Sequence, residues 1–401
     1  VDLRSSYEKD MSRQVDSTPL RVAVIGTGFI GTVHVEAARR ARAHVVGILG
    51  SSVKRAIPKA RELVVPIVFD SLEELAQSPD VDLVHVTSPN YLHAPQVLAL
   101  LQGGKHVICE KPLALTAEQG AELVAEAVTR NLVNATCFNI RFYPLMRQAQ
   151  VMVANNQIGS VLFSTGSYHQ DWLLLDTDWN WRLERDQAGT MRAVADIGSH
   201  WIDLVGWVSG SPVSSVMADL YTAIPVRRRP TGPIETFSIS GTDTDLIEVN
   251  VTNEDAASIM FVCENGARGS FSVSQISAGK KNNLEFEIAG SSGSLNWKSS
   301  NPDELLVGRR GAPNDLIFRD PSLMDASAAA SSFYPAGHVE GFGETFRGLF
   351  ESVYRDAKAG QPAAHPMYPT FADGLAGLEV ADSIWKSNES KQWTQVERNT
   401  Q

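Results

Sequence analysis

Near its start the chain carries Gly26-Thr27-Gly28-Phe29-Ile30-Gly31, directly behind a short apolar stretch at 20–25 and before a helix-patterned stretch at 32–42. Few folds use glycines this way. In a G-x-G-x-x-G run the first glycine allows a tight turn, the second lets a backbone approach a pyrophosphate, and the third packs helix on strand. The spacing alone is weak evidence. Its place between the first strand and first helix of an alternating series narrows the choice to a doubly wound α/β domain.

The series is long. Strand-like stretches at 20–25, 45–49, 67–69, 82–87, 106–109 and 133–138 alternate with helical ones at 32–42, 53–63, 92–103 and 117–130, and Asp70-Ser71 opens a further helix. This pattern predicts a parallel sheet, the Rossmann arrangement. After Ile140 the texture changes. A helix at 144–155 gives way to β-like runs at 161–168, 214–220, 247–251, 259–263, 269–275, 284–288 and 295–297, with turn pairs such as Asn265-Gly266 and Ser292-Gly293. Helices are expected at 199–208, 340–359 and 371–386, and a loop at 326–332. The expectation is an N-terminal tail (1–20), a dinucleotide-binding Rossmann domain (21–141), and an α+β domain (142–401) with an open, mostly antiparallel sheet.

Composition serves mainly to exclude. Lys and Arg total 35 against 46 Asp and Glu, a net charge of −11, which disfavours a nucleic-acid partner, and Arg227-Arg228-Arg229 reads as an isolated basic run. No apolar run approaches the roughly 20 residues that span a bilayer, so no membrane partner is expected. Cys109, Cys137 and Cys263 are widely spaced, which suggests reduced thiols and a cytoplasmic protein.

The end of the second strand discriminates between dinucleotides, because a carboxylate there accepts from a ribose 2′-hydroxyl and repels a 2′-phosphate. Here stands Gly50-Ser51-Ser52-Val53-Lys54-Arg55. Ser51, Ser52 and Arg55 suit a phosphate, which leans the expectation toward NADP. If the cations are only a solvated helix face, NAD binds without a carboxylate.

Two further clusters carry chemistry. Lys111 follows the strand 106–109 within Glu110-Lys111-Pro112, at the carboxyl end where such sheets place ligands. Oxidising an alcohol with a nicotinamide requires one group to cycle a proton, and a lysine partly buried beside a cationic ring yields its proton more readily than one in water. Asp196-Ile197-Gly198-Ser199-His200, with Asp203 beyond, offers a carboxylate to bond a substrate hydroxyl or Lys111, and an imidazole to relay a proton. Asp203 is expected to position His200 or to cap local structure. A metal reading of the same cluster is disfavoured because histidine-rich ligand spacing is missing.

These motifs, with Thr87-Ser88-Pro89-Asn90 and His93, Asp178-Trp179-Asn180-Trp181-Arg182 and Gly337-His338-Val339-Glu340-Gly341, together resemble the Gfo/Idh/MocA family, that of glucose–fructose oxidoreductase and inositol dehydrogenase. The likeness runs from Arg21 to nearly the end of the chain. It implies an NAD(P)-dependent oxidoreductase of the branch acting on sugars, anhydrosugars or glycosides, commonly a homo-dimer or homo-tetramer. The acid–base set it implies is Lys111, Asp196 and His200. Cofactor contacts are expected from Gly26, Gly28, Phe29, Ile30, Gly31, Thr87, Ser88, Pro89, Asn90, His93, Glu110, Lys111, Asn139, Trp181 and Arg182. Substrate contacts are expected from Lys111, Tyr168, Asp171, Asp196, His200 and His338, because aromatic faces and carboxylates suit a pyranose. His34, His44 and His365 read as incidental. The competing reading is a glycoside-cleaving enzyme that oxidises its sugar only transiently, using the same lysine and histidine.

Overall fold

The computed structural model describes residues 18–231 and 245–399, and most of the expected tail lies outside the described residues. The alternation holds: β1 (Arg21–Ile25), α1 (Phe29–Arg40), β2 (His44–Leu49), α2 (Val53–Glu62), β3 (Ile67–Val68), α3 (Leu72–Gln77), β4 (Leu83–Val86), α4 (His93–Gln102), β5 (His106–Cys109), α5 (Ala117–Thr129) and β6 (Asn134–Thr136). The strands form one six-stranded sheet in the order β3-β2-β1-β4-β5-β6, parallel throughout. The order reverses between β1 and β4, which opens a crevice at the carboxyl ends of the strands. Hydroxyl caps fix three of the helix starts: Ser52, Ser71 and Thr116 accept from the backbone N–H of Arg55, Glu74 and Gln119. α1 begins at Phe29 rather than Thr32, because Gly28 itself is the N-cap.

The second half contains α6 (Pro144–Ala154), β7 (Val161–His169), α7 (Arg185–Ala188), α8 (Ser199–Ser209), β8 (Val213–Tyr221), β9 (Val226–Pro230), β10 (Leu246–Asn250), β11 (Ala256–Cys263), β12 (Arg268–Ser274), β13 (Asn283–Gly290), β14 (Gly293–Lys298), β15 (Glu304–Arg309), β16 (Asp315–Phe318), α9 (Ala326–Ala329), α10 (Phe342–Ala359), α11 (Phe371–Ser390) and β17 (Thr394–Gln395). Nine strands make a mixed sheet, β16-β15-β14-β13-β7-β12-β11-β8-β17. Only its β12–β7 pair is parallel.

Several expectations needed correction. β9, β15, β16 and β17 were not legible in the pattern, and the expected loop at 326–332 contains α9, whose N-cap Asp325 accepts from Ser327 N–H. The basic run 227–229 lies on β9, where Arg227 is fully buried against Asp255.

One face of the second sheet is covered. Trp201 of α8 stacks on Phe271 of β12, with ring centroids 4.4 Å apart, within a core that includes Leu145, Phe286 and Ile384. The other face is open, and Phe163, Met260, Leu306, Leu316 and Phe318 are exposed. α10 and α11 return to the first domain. Phe346, Leu349, Phe350 and Val353 join the core of β1 and α1, while Phe371, Leu375 and Leu378 pack with α5. These two helices from the second half of the chain therefore bind the halves together.

Candidate active site

At the crevice the backbone prepares the cofactor side. Gly26 has φ +103°, and a Cβ there would lie 2.5 Å from Thr87 Oγ1. A Cβ on Gly31 would meet the Gly26 carbonyl oxygen at 2.1 Å, which is the close helix–strand approach the motif requires. Around Gly28 a Cβ would meet nothing within 4 Å, so the space beside the start of α1 is open. The first amide groups of α1, Phe29 and Ile30 among them, face this space and suit a pyrophosphate. Thr87 closes the turn by donating from N and Oγ1 to Ile25 O at 2.8 and 2.7 Å. Ser51, Ser52 and Arg55 are exposed at the end of β2, and Ser52 Oγ caps α2 by accepting from Arg55 N.

The two halves meet at Lys111. Its Nζ donates to Asp196 Oδ1 at 2.8 Å and to the Asp196 carbonyl at 2.7 Å. Arg182 Nε donates to the same Oδ1 at 3.1 Å, and its guanidinium lies over the Trp181 ring. Gln275, fully buried, donates from Nε2 to Asp196 Oδ2 at 2.9 Å. Burial would raise the Asp196 carboxyl, but Arg182 and Lys111 hold it far below the usual carboxylate range.

Asp196 lies in a π-helical turn, Val194–Gly198, that runs directly into α8. Such turns cluster at functional sites. This one is fastened from below. Glu254 Oε1 accepts from the N–H of both Arg192 and Val194 at 2.9 Å, and Asp255, fully buried, accepts from the guanidiniums of Arg192 and Arg227. None of Glu254, Asp255, Arg192 and Gln275 stands out in the sequence, because each acts through a partner distant along the chain.

His200, on the first turn of α8, packs beside Phe138 and Tyr168. Its Nδ1 is buried without a hydrogen-bond partner, which leaves Nε2 for a ligand. Burial and the Lys111 ammonium hold the imidazole down at about 3, so it is neutral near pH 7. Asp203 does not position it. That carboxylate pairs with Arg141 through both guanidinium Nε, at 2.8 Å, and a terminal nitrogen.

Behind Lys111 lies a buried line of polar groups. Glu110 Oε2 accepts from Lys111 N at 3.2 Å, and Glu110 Oε1 faces His34 Nε2 at 3.0 Å. His34 Nδ1 faces His85 Nδ1 at 3.1 Å, and His85 Nε2 faces the Tyr354 hydroxyl at 2.7 Å. Burial would raise the Glu110 carboxyl, but His34 and Lys111 hold it at about 2. The carboxylate thus accepts from His34 Nε2–H. With His85 kept neutral by burial, the line is satisfied when Tyr354 donates to His85, His85 to His34, and His34 to Glu110. His34 is therefore not incidental. Its Nε2, Glu110 Oε and Cys137 Sγ lie within 4.8 Å of one another, the one group of potential metal ligands among the described residues, here joined by hydrogen bonds. Cys109, Cys137 and Cys263 are free and buried.

Other expected residues serve the protein itself. His93 is buried, with Nδ1 facing Pro112 O at 2.7 Å and Nε2 facing Ser88 O at 2.8 Å, so it braces two loops rather than reaching a cofactor. Ser88 Oγ donates to Gln96, and Asn90, capped by Pro89 on a short helical turn, donates to Ala188 O of α7. Asn139 is buried and donates to Thr345 of α10. Tyr168 contributes a ring face beside His200, but its buried hydroxyl donates to Asn282. Asp171 pairs with Lys281. His338 is exposed on a loop held by Arg319 and is not brought to Lys111.

A parallel sheet with a glycine loop at its switch point, joined through a lysine–carboxylate pair to a second domain, defines a Rossmann-type oxidoreductase. Residues 20–136 match the oxidoreductase family with an NAD-binding Rossmann fold, and residues 146–296 match the GFO/IDH/MocA C-terminal domain. The chain belongs to the Gfo/Idh/MocA oxidoreductase family, with an NAD-binding Rossmann domain. It is 29% identical over 390 residues to levoglucosan dehydrogenase of Pseudarthrobacter phenanthrenivorans, covering 94% of this chain and 98% of that one. It is 33% identical over 204 residues to 1,5-anhydro-D-fructose reductase of Ensifer adhaerens, covering 51% and 60%. The solved complex of levoglucosan dehydrogenase with NADH and L-sorbose superposes with a TM-score of 0.84 at 28% identity, covering 95% and 100%. No helix among the described residues is long and apolar enough to cross a membrane.

Proposed function

We propose that the protein oxidises a secondary alcohol of a cyclic sugar, anhydrosugar or glycoside, with Lys111, Asp196 and His200 as its reacting groups. The observation that carries this reading is the 2.8 Å pair between Lys111, from the first domain, and Asp196, from the second. When bound, the nicotinamide accepts the hydride that leaves the carbinol carbon. Gly28 leaves open space for its dinucleotide at the start of α1, and the close packing at Gly26 and Gly31 holds the loop that frames it. The hydroxyl proton passes either to neutral His200, with the Lys111 ammonium fixed by Asp196 as a donor to the alcohol oxygen, or to Lys111 itself in its amine form. Trp181 and Arg182 border the nicotinamide end, and the Tyr168 ring forms part of the sugar wall. Levoglucosan dehydrogenase and 1,5-anhydro-D-fructose reductase, by name, act on anhydrosugars, which favours a cyclic substrate.

Incubation with free sugars, anhydrosugars and glycosides, followed by absorbance of reduced cofactor, tests the reading. Net reduction with a free sugar is expected, whereas glycoside cleavage without net reduction would establish the transient-oxidation alternative. Lys111→Ala and His200→Ala should each lower turnover at least about 100-fold and leave dinucleotide affinity nearly unchanged. Lost affinity with retained turnover would overturn the assignment.

For dinucleotide choice we favour NADP, since Ser51, Ser52 and Arg55 stand exposed where a carboxylate would exclude a 2′-phosphate. The NADH in the similar solved structure sets the opposing expectation. Parallel titration with NADPH and NADH decides: tighter NADPH binding is expected, and equal or tighter NADH binding rejects the preference. The same reading makes the protein a cytoplasmic homo-dimer or homo-tetramer, joined through the open face that exposes Phe163, Met260 and Phe318.

A further inference from the structure

A cleft of about 450 Å³ opens between the end of α1 and the outer face of α10. Leu20 and Ala41, which precede β1 and β2, line it, so it lies at the amino end of the parallel sheet, opposite the dinucleotide crevice.

Its lining is unbalanced in charge. Arg42, Arg347, Arg355 and Lys358 face a single carboxylate, Glu351, in a chain whose net charge is −11. Glu351 is already committed to Arg347, whose guanidinium lies over the Phe333 ring. The side chains of Arg42, Arg355 and Lys358 have no hydrogen-bond or ion-pair partner among the described residues. Cations commonly offset the negative ends of helices, and both α1 and α10 end here. Two such ends amount to about one unit of negative charge, fewer than these cations supply.

A second observation concerns donors. Ser332 buries a hydroxyl that has no hydrogen-bond partner and lines the same cleft. The Tyr354 hydroxyl on the inner wall is already bonded to His85. The walls therefore offer uncommitted donors and positive charge, and their one carboxylate is taken. A cleft of this size exceeds what a bare inorganic ion fills and falls within the range of small-molecule sites.

We propose that this cleft is a second ligand site, one for a small organic molecule bearing a multiply charged oxyanion, held by Arg42, Arg355, Lys358 and Ser332. A polycarboxylate and a phosphate ester share that chemistry. Citrate and glycerol 3-phosphate are the probes that separate them.

The test uses the full chain with its dinucleotide site saturated with NADH, so that the probe cannot report on the pyrophosphate loop. Thermal denaturation is followed against each probe, with chloride at matched ionic strength as the reference. A saturable rise in Tm beyond the chloride reference, with one or both probes, is expected. Arg355→Gln combined with Lys358→Gln, both on an exposed helix face, should keep the unliganded Tm and weaken probe affinity at least 10-fold. Ser332→Ala should weaken it by a smaller factor. A response that follows ionic strength alone, no response to either probe, or unchanged affinity in the double variant overturns the proposal.

Discussion

The glycine loop and the Asp196 turn both face the crevice, yet they are built by opposite means. Gly26 to Gly31 hold their shape through what they lack: a side chain at either end would collide with Thr87 or with the loop's own carbonyl. The Asp196 turn holds its shape through what is buried under it, Glu254 on two amides and Asp255 between two arginines. A local steric rule makes the first half, and long-range paired charge makes the second. The comparison teaches that cofactor binding and proton handling should fail separately, by different mutations and with different symptoms.

The largest expected effect comes from removing the buried charge. Asp255→Ala leaves Arg192 and Arg227, both with fully buried side chains, without their carboxylate. The expected loss is about 3–5 kcal/mol of folding stability, read by urea denaturation, with little change in NADH affinity of the molecules still folded. Stability close to wild type would mean that Glu254 alone holds the turn, and the contrast between the two regions would lose its basis.

Gly31→Ala attacks the other region. The added methyl would come 2.1 Å from the Gly26 carbonyl oxygen, a backbone atom that cannot rotate away. A smaller stability loss is expected, about 1–3 kcal/mol. NADH affinity should nonetheless fall at least 10-fold, because the loop must move off the first turn of α1. Intact affinity, measured by fluorescence titration, would show that the loop tolerates displacement and that its sterics are not what places the dinucleotide.

The same contrast explains what could be read from the sequence. Gly26, Gly28 and Gly31, the strand end before Lys111, and the caps Ser52, Ser71 and Thr116 act on neighbours a few residues away, so spacing reveals them. Asp203 was legible as a residue near His200 but not as the partner of Arg141, which lies 62 positions earlier. His34 offered one local signal, helical spacing that puts it on the buried face of α1 with Val35 and Ala38. Its partner Glu110 is 76 positions away and gives no such signal. β9 was missed for the same reason: Arg227 reads as a surface charge until Asp255 is folded against it.

The smallest expected effect is also the most discriminating for the proton. An unperturbed histidine titrates near 6.5, so a base of that kind would give kcat/KM an acidic limb between pH 6 and 7. Burial acts first against the His200 imidazolium, and the Lys111 ammonium adds to it; Glu110 and Asp196 oppose them without prevailing, and the ring stays neutral down to about 3. A cationic nicotinamide in the crevice would push in the same direction as Lys111. The sign for stability follows: the unfolded chain takes up a proton on His200 below about 6.5 and the folded chain does not, so this group's contribution is whole above that pH and declines as pH falls toward 3. For turnover the sign differs, since the folded enzyme keeps its base free throughout. Oxidation profiled from pH 5 to 7 should therefore show no His200-dependent limb. A limb near 6.5 in kcat/KM that vanishes in His200→Asn would mean that the ring keeps its ordinary basicity in the free enzyme. The proton would then be handled by a histidine exposed to solvent-like conditions rather than by one held neutral against Lys111.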